Sequence, residues 1–235
     1  MAISDPTAVR PKGRFRAGIR RHGPVGLARV VRDRLVSRIW LDEAHIWYVL
    51  ALDRLKLLPM ADGYELRPGT PGDLPVMAQD PDSAPLKKAK RRLARGASLW
   101  LVTIGGQIAF VAWVFGDAAP AIAARGGELT LPPGAASLES TFTNAEHRGR
   151  GIAGAAWTAI AEQLAGDGYE VLITKVEVEN APSRRAFENA GFRAASEMRL
   201  RRRGVRTRVS IARTATELTE SEARAEVWLE RTLRR

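Results

Sequence analysis

Apolar positions follow two periods along this chain. The clearest helical stripe is Ala153, Ala156, Trp157, Ile160, Ala161 and Leu164, spaced three and four apart, the repeat of an amphipathic helix. Gly166-Asp167-Gly168 stops it. A short β-rich run, Leu138 to Thr143, precedes it, and a second, Glu170 to Val178, follows. Upstream, Leu99 to Ile104 and Ile108 to Phe115 flank Gly105-Gly106, a hairpin signal. Residues 97–116 carry no charge and are as long as a membrane span, but the paired glycines and β-rich runs favour the hairpin.

The remaining segments read more locally. Tyr64 to Arg67 predicts a strand. Thr70-Pro71-Gly72-Asp73 predicts a capped helix start running to about Ala78. Ser83 is expected to cap a helix ending at Gly96, with Leu86, Ala89 and Leu93 facing inward. Asp117 to Gly134 is irregular, with Glu128 to Leu131 a short strand or part of the loop. Ala194 to Arg203 and Val205 to Ala212 predict a last hairpin turning at Gly204. Thr219 and Glu222 form a capping box for a final helix with Ala225, Trp228, Leu229 and Thr232 on one face, which docks on the core or on a second subunit. Near the start, residues 1–20 lack periodicity and read as a basic arm. Val25, Leu27, Val30, Val31, Leu35 and Ile39 trace an amphipathic helix with arginines between, suited to packing on its own domain or lying on a membrane. His45 to Leu52 predicts an extra strand, although a buried helix fits the same pattern.

Composition narrows the class. At 235 residues the expectation is one or two domains. The first thirty residues hold no apolar core of a signal peptide. The absence of cysteine excludes disulfides, a Cys–Zn site and a thiol nucleophile, and fits a cytoplasmic protein. The net charge of +11 is uneven: residues 1–38 hold ten Lys/Arg, and 87–95 and 199–208 hold six each. These clusters are solvated faces or contacts for a polyanionic partner, whether nucleic acid, anionic lipid or an acidic carrier protein.

The chemistry centres on His147-Arg148-Gly149-Arg150-Gly151, a charged, glycine-rich turn opening the best-marked helix. The first helical N–H groups lack intrahelical partners, and the macrodipole adds roughly 0.3–1 kcal/mol per anionic contact there. Gly149 and Gly151 allow close approach of a phosphate; Arg148 and Arg150 add forked donors. No Gly-Lys-Ser/Thr follows, and Gly-x-Gly-x-x-Gly is unmatched. After the next strand, Asn180-Ala-Pro-Ser-Arg-Arg-Ala-Phe-Glu-Asn-Ala-Gly-Phe192 leads a short helix with an aromatic inside it and a closing Gly-Phe.

Together these segments resemble the GNAT superfamily of N-acyltransferases, whose acyl-CoA loop reads Gln/Arg-x-x-Gly-x-Gly/Ala. Here that pattern falls on Arg148, Gly151 and Ala153. The resemblance rests on 137–192 and implies an α/β (α+β) fold: a mixed, mostly antiparallel sheet with helices on both faces. A GNAT domain over 62–212 would be flanked by a basic extension, 1–61, and a C-terminal helix, 213–235. The resemblance also implies roles. Arg148, Gly149, Arg150, Gly151, Ile152, Ala153 and Asn180 would hold the donor, acetyl-CoA. Phe142 and Thr143 would line the place where a bulged, splayed strand offers backbone N–H to the thioester carbonyl. Phe187 would pack on the pantetheine arm, although relatives often carry a proton-donating Tyr there and this chain's tyrosines are Tyr48, Tyr64 and Tyr169. Glu139 stands where relatives carry the acid that takes the amine proton; a solvent-facing or Arg-paired strand-end Glu fits equally. His147 reads as a surface residue. The early helices and the loop carrying Asp80 and Asp82 would cover the acceptor site.

The function implied is acyl transfer from acyl-CoA to a primary amine by direct attack, with no metal. A non-catalytic acyl-CoA sensor and a basic nucleic-acid-binding protein are the alternatives; a homodimer is open.

Overall fold

Alternation builds the sheet and the helical stripes cover its two faces. The computed structural model describes residues 40–80, 83–121, 123–204, 206–214 and 217–234. The basic arm, the amphipathic helix from Val25 and Asp82 lie outside them. Packing divides the chain into two units, 1–42 with 201–208 and 43–200 with 209–235. In the first, Asp42 and Arg201 pair at 3.5 Å. The second carries the elements that bear on function.

The strands are β1 (Trp40–Ala51), β2 (Glu65–Pro68), β3 (Ser98–Ile104), β4 (Gln107–Phe115), β5 (Ala118–Pro120), β6 (Glu128–Thr130), β7 (Ala135–Thr143), β8 (Val171–Glu177), β9 (Arg193–Arg203) and β10 (Arg206–Arg213). The helices are α1 (Leu74–Met77), α2 (Leu86–Leu93), α3 (Ile152–Gly166), α4 (Ala181–Asn189) and α5 (Glu220–Leu233). Eight strands form one sheet in the order β10-β9-β1-β8-β7-β4-β3-β2, and β5 pairs β6 apart from it. β1–β8, β2–β3, β3–β4 and β4–β7 pair antiparallel, and β7–β8 pair parallel. The uncharged stretch is the β3–β4 hairpin, turned by Gly105 and Gly106 at φ 54° and 77°, angles a two-residue hairpin turn requires.

On one face Trp47, Val49, Leu101, Val111, Trp113 and Ile173 meet α1, α2 and α5. On the other Tyr48, Leu50, Phe110, Leu138 and Leu172 meet α3 and α4. Within that second layer the Trp157 and Phe187 rings stack 3.8 Å apart and 6° from parallel. Such a pair adds roughly 0.5–1.5 kcal/mol beyond burial.

Three expectations are corrected. β1 is an inner strand, antiparallel to β8 from His45↔Glu177 to Ala51↔Val171, so residue 61 marks no break between an extension and a domain. Nor does 213: α5 buries Ala225, Leu229 and Leu233 in the core, and Glu222, itself buried, accepts from the N–H of Thr219 and of Ala51. The second early helix begins after Pro85 and ends at Leu93 with no side-chain cap from Ser83. Its inward face is Ala89 and Arg92; Leu86 is exposed and Leu93 half-buried. The first helix start is as expected, Thr70 and Asp73 closing a capping box.

Candidate active site

The loop before α3 is built to leave donors free. Gly151 occupies the cap position at φ 74°, no side chain caps the helix, and the first helical bond runs from Ala155 N–H to Gly151 O at 3.1 Å. The N–H groups of Ile152, Ala153 and Gly154 therefore have no helical acceptor. Gly149 also has positive φ, and a Cβ on either glycine would meet nothing within 4 Å. The glycines thus serve conformation and leave the space before the helix open. Arg148, Gly149, Arg150 and Gly151 are exposed, and Arg148 Nε donates to Thr143 O at 3.0 Å, tying the loop to the end of β7. His147 is half-buried, its Nδ1 3.0 Å from Tyr64 Oη, and so braces the loop.

β7 carries the expected irregularity. Across β4 the pairing steps from Val111↔Phe142 to Trp113↔Glu139, one residue more on β7 than on β4. That extra residue is a β-bulge, and within it Ser140 adopts φ 51°, the one positive φ at a non-glycine among the described residues. The bulge reverses side-chain parity, so Phe142 packs on the same face as Ala135. On its other side β7 pairs with β8 only from Ala135↔Val171 to Ser137↔Ile173. Beyond that the strands part, and side chains bridge them: Thr174 Oγ1 donates to Leu138 O at 2.7 Å, and Lys175 Nζ meets Glu139 Oε1 at 2.5 Å. Ser140 is exposed in a strand otherwise buried or half-buried.

The opening lies between two chemistries. Phe142 and Asn144 line a cavity of ≈ 350 Å³ with Val76, Met77 and Asp80, so the segment after α1 and the end of β7 border one cavity. Next to it is a buried charged cluster. Glu139 is 9% exposed and also accepts from Ser137 Oγ at 3.3 Å. Lys175 further donates to Pro120 O at 2.9 Å and stands over Trp47. Arg92 of α2, 5% exposed, donates from Nη2 to Ser140 Oγ at 2.7 Å and lies over Trp113 and Phe115. Burial pulls the Arg92 guanidinium below its ordinary value, against the pull of Glu139. Burial also lowers Lys88, with Arg92 and Arg91 adding repulsion.

Two donor-site expectations change. Phe187 is 4% exposed, held between Trp157 and Tyr48 with Phe192 edge-on; it props α3 from beneath and presents no face to a pantetheine arm. Asn180 caps α4, its Oδ1 accepting from Ser183 N–H at 3.2 Å, so its side chain is already engaged in holding the helix start. Glu139 is neither solvent-facing nor paired with an arginine; its partner is Lys175. Sequence reasoning missed Lys175 and Arg92. The second had a signal, three residues beyond Ala89 on one helix face, but a run of six cations hid it. Among the described residues no group of His, Cys, Asp or Glu could hold a metal ion, and no helix is long and apolar enough to cross a membrane.

Residues 71–192, more than half of the chain, match the family model described as Acetyltransferase (GNAT) family. No curated protein matches the sequence significantly. Among solved structures, a GCN5-related N-acetyltransferase from Sphaerobacter thermophilus is 15% identical with TM-score 0.51, over 80% of this chain and 58% of its own. A tandem GNAT protein from the clavulanic acid biosynthesis pathway is 17% identical with TM-score 0.52, over 81% and 59%. The chain thus spans somewhat under two thirds of these relatives' length, and at such identities the likeness is one of fold.

Proposed function

The chain belongs to the acetyltransferase (GNAT) family, and on that premise we propose that it moves an acetyl or short acyl group from acyl-CoA to a primary amine by direct attack. The observation that carries the proposal is the uncapped, glycine-opened start of α3 beside the point where β7 parts from β8. The N–H groups of 152–154 with Arg148 and Arg150 take the donor's phosphates. The released edge of β7 around Phe142 and Thr143 receives the thioester end, where a backbone donor stabilises charge developing on the carbonyl oxygen.

In the step itself the amine nitrogen bonds the thioester carbon, the C–S bond breaks, and CoA leaves as thiolate. The amine's proton passes through water to Glu139, which Lys175 holds in place. Phe187 has no proton to give the sulfur, and Tyr48, stacked on it, is 0% exposed and donates to Glu188 at 2.8 Å. The thiolate therefore takes its proton from water. That same feature supports a second reading, an acyl-CoA sensor without turnover.

Titration calorimetry with acetyl-CoA, CoA and ATP, followed by mass spectrometry of an amine panel, tests both. Micromolar binding of acetyl-CoA and CoA, much tighter than ATP, with acetylated product supports transfer. Binding without product across the panel favours the sensor. No CoA binding removes both and turns attention to the exposed arginines of β9 and β10, where a steep salt dependence of polynucleotide binding is the signature to seek.

A further inference from the structure

The acceptor's chemistry can be read from Arg92, given the acyl-transfer reading above. This guanidinium is buried with one hydrogen bond, to Ser140 Oγ; its Nε and Nη1 are closed off from solvent and have no partner. The faces of Trp113 and Phe115, 5.1 and 5.7 Å away, return only part of the lost hydration. A buried cation with unmet donors is costly unless an anion answers it. The acid whose field reaches it, Glu139, is occupied by Lys175. Lys88 feels the same group and is repelled by Arg92, Arg91 and Lys175. Three cations, Lys88, Arg92 and Lys175, thus share one carboxylate.

The cluster has room in front of it. Lys88, Arg91 and Arg92 line one wall of a cavity of ≈ 680 Å³, within the range of small-ligand sites. Asp117, Glu128 and Asp167 also line it, and Glu128 is already paired with Arg95. A lining with both signs of charge suits a zwitterion better than a simple anion. Arg92 belongs both to this cavity and to the bulge at Ser140, so an anion held by it lies within one side chain of the splayed strands.

We propose that Arg92, assisted by Lys88, is a carboxylate-binding subsite, and that the acceptor is an amine carrying a carboxylate, an amino acid or a close relative. The carboxylate pairs with Arg92 and Lys88 where they line the cavity, and the amine is turned toward the bulge.

The test uses the product side and needs no turnover. The full chain is titrated calorimetrically with a panel of N-acetyl-L-amino acids, each against its uncharged N-acetyl amide. At least one acid is expected to bind tenfold or more tightly than its amide. Arg92→Met should abolish that difference, and Arg92→Lys should keep part of it. Equal binding of acid and amide throughout the panel, or a difference that survives in Arg92→Met, overturns the proposal. The wild-type comparison stands even where a variant fails to fold. Acetyl-CoA titrated separately reports the donor site: its failure to bind sinks the transferase reading, while the acid–amide difference is read independently.

Discussion

The loop before α3 and the cluster around Glu139 lie on either side of the same strand opening, yet they are made in opposite ways. The loop is exposed, contiguous in sequence and made of backbone; its glycines sit in open space and no side chain competes for its N–H groups. The cluster is buried and assembled from α2, β7, β8 and the carbonyl of Pro120, around the single Glu139–Lys175 ion pair. A site of free backbone donors tolerates change around it. A site built on a buried ion pair does not, because removing one partner strands the other.

That contrast is open to attack in order of effect. Phe187→Ala, by emptying the stack beneath α3, should cost about 3–5 kcal/mol in urea denaturation while the folded fraction binds acetyl-CoA as before. A large loss of affinity with normal stability would return Phe187 to the groove. Glu139→Gln leaves Lys175, 17% exposed in its side chain, without its counter-charge. It should cost about 3 kcal/mol and lower turnover, and adding Lys175→Met should recover at least half the stability. An unaltered midpoint would show the two charges to be independent. Gly151→Ala meets no steric obstacle, only the penalty of about 1–2 kcal/mol for positive φ; its melting temperature should fall modestly and acetyl-CoA binding weaken. Identical binding would mean that the cap conformation is immaterial.

The smallest effect lies away from the opening. The Arg67 guanidinium beside Asp73, with Thr70, holds that carboxyl well below the usual carboxylate range. A depressed folded pKa stabilises above the unfolded value, near pH 4, and the gain is lost as pH falls below it. With Arg67 40% exposed, the gain is about 1 kcal/mol or less. The stability gap between wild type and Asp73→Asn should be flat above about pH 5 and shrink below pH 4; a gap that grows on acidification reverses the assignment.

What could be read from sequence follows the same division. The glycine-opened loop was legible because its parts, Arg148 to Ala153, are neighbours in the chain and depend on glycine conformation and a helix start. The β3–β4 hairpin and the Thr219–Glu222 cap were legible for the same reason. The place of β1 between β8 and β9 was not, since pairing of His45 with Glu177 leaves no local trace. Arg92 was hidden among exposed cations on its own helix, and Lys175 by the plainness of one lysine in a strand; only tertiary packing brings either to Glu139. Phe187 was legible as an aromatic but not as a buried one, because Trp157 and Tyr48 approach it from distant segments.

The most direct test of the two-sided opening is a parallel titration of acetyl-CoA into wild type, Arg148→Glu and Arg92→Met. The account predicts at least tenfold weaker binding for Arg148→Glu with an unchanged melting temperature, and wild-type affinity for Arg92→Met. Full affinity in Arg148→Glu, or its loss in Arg92→Met, would contradict the assignment of donor and acceptor to opposite sides of β7.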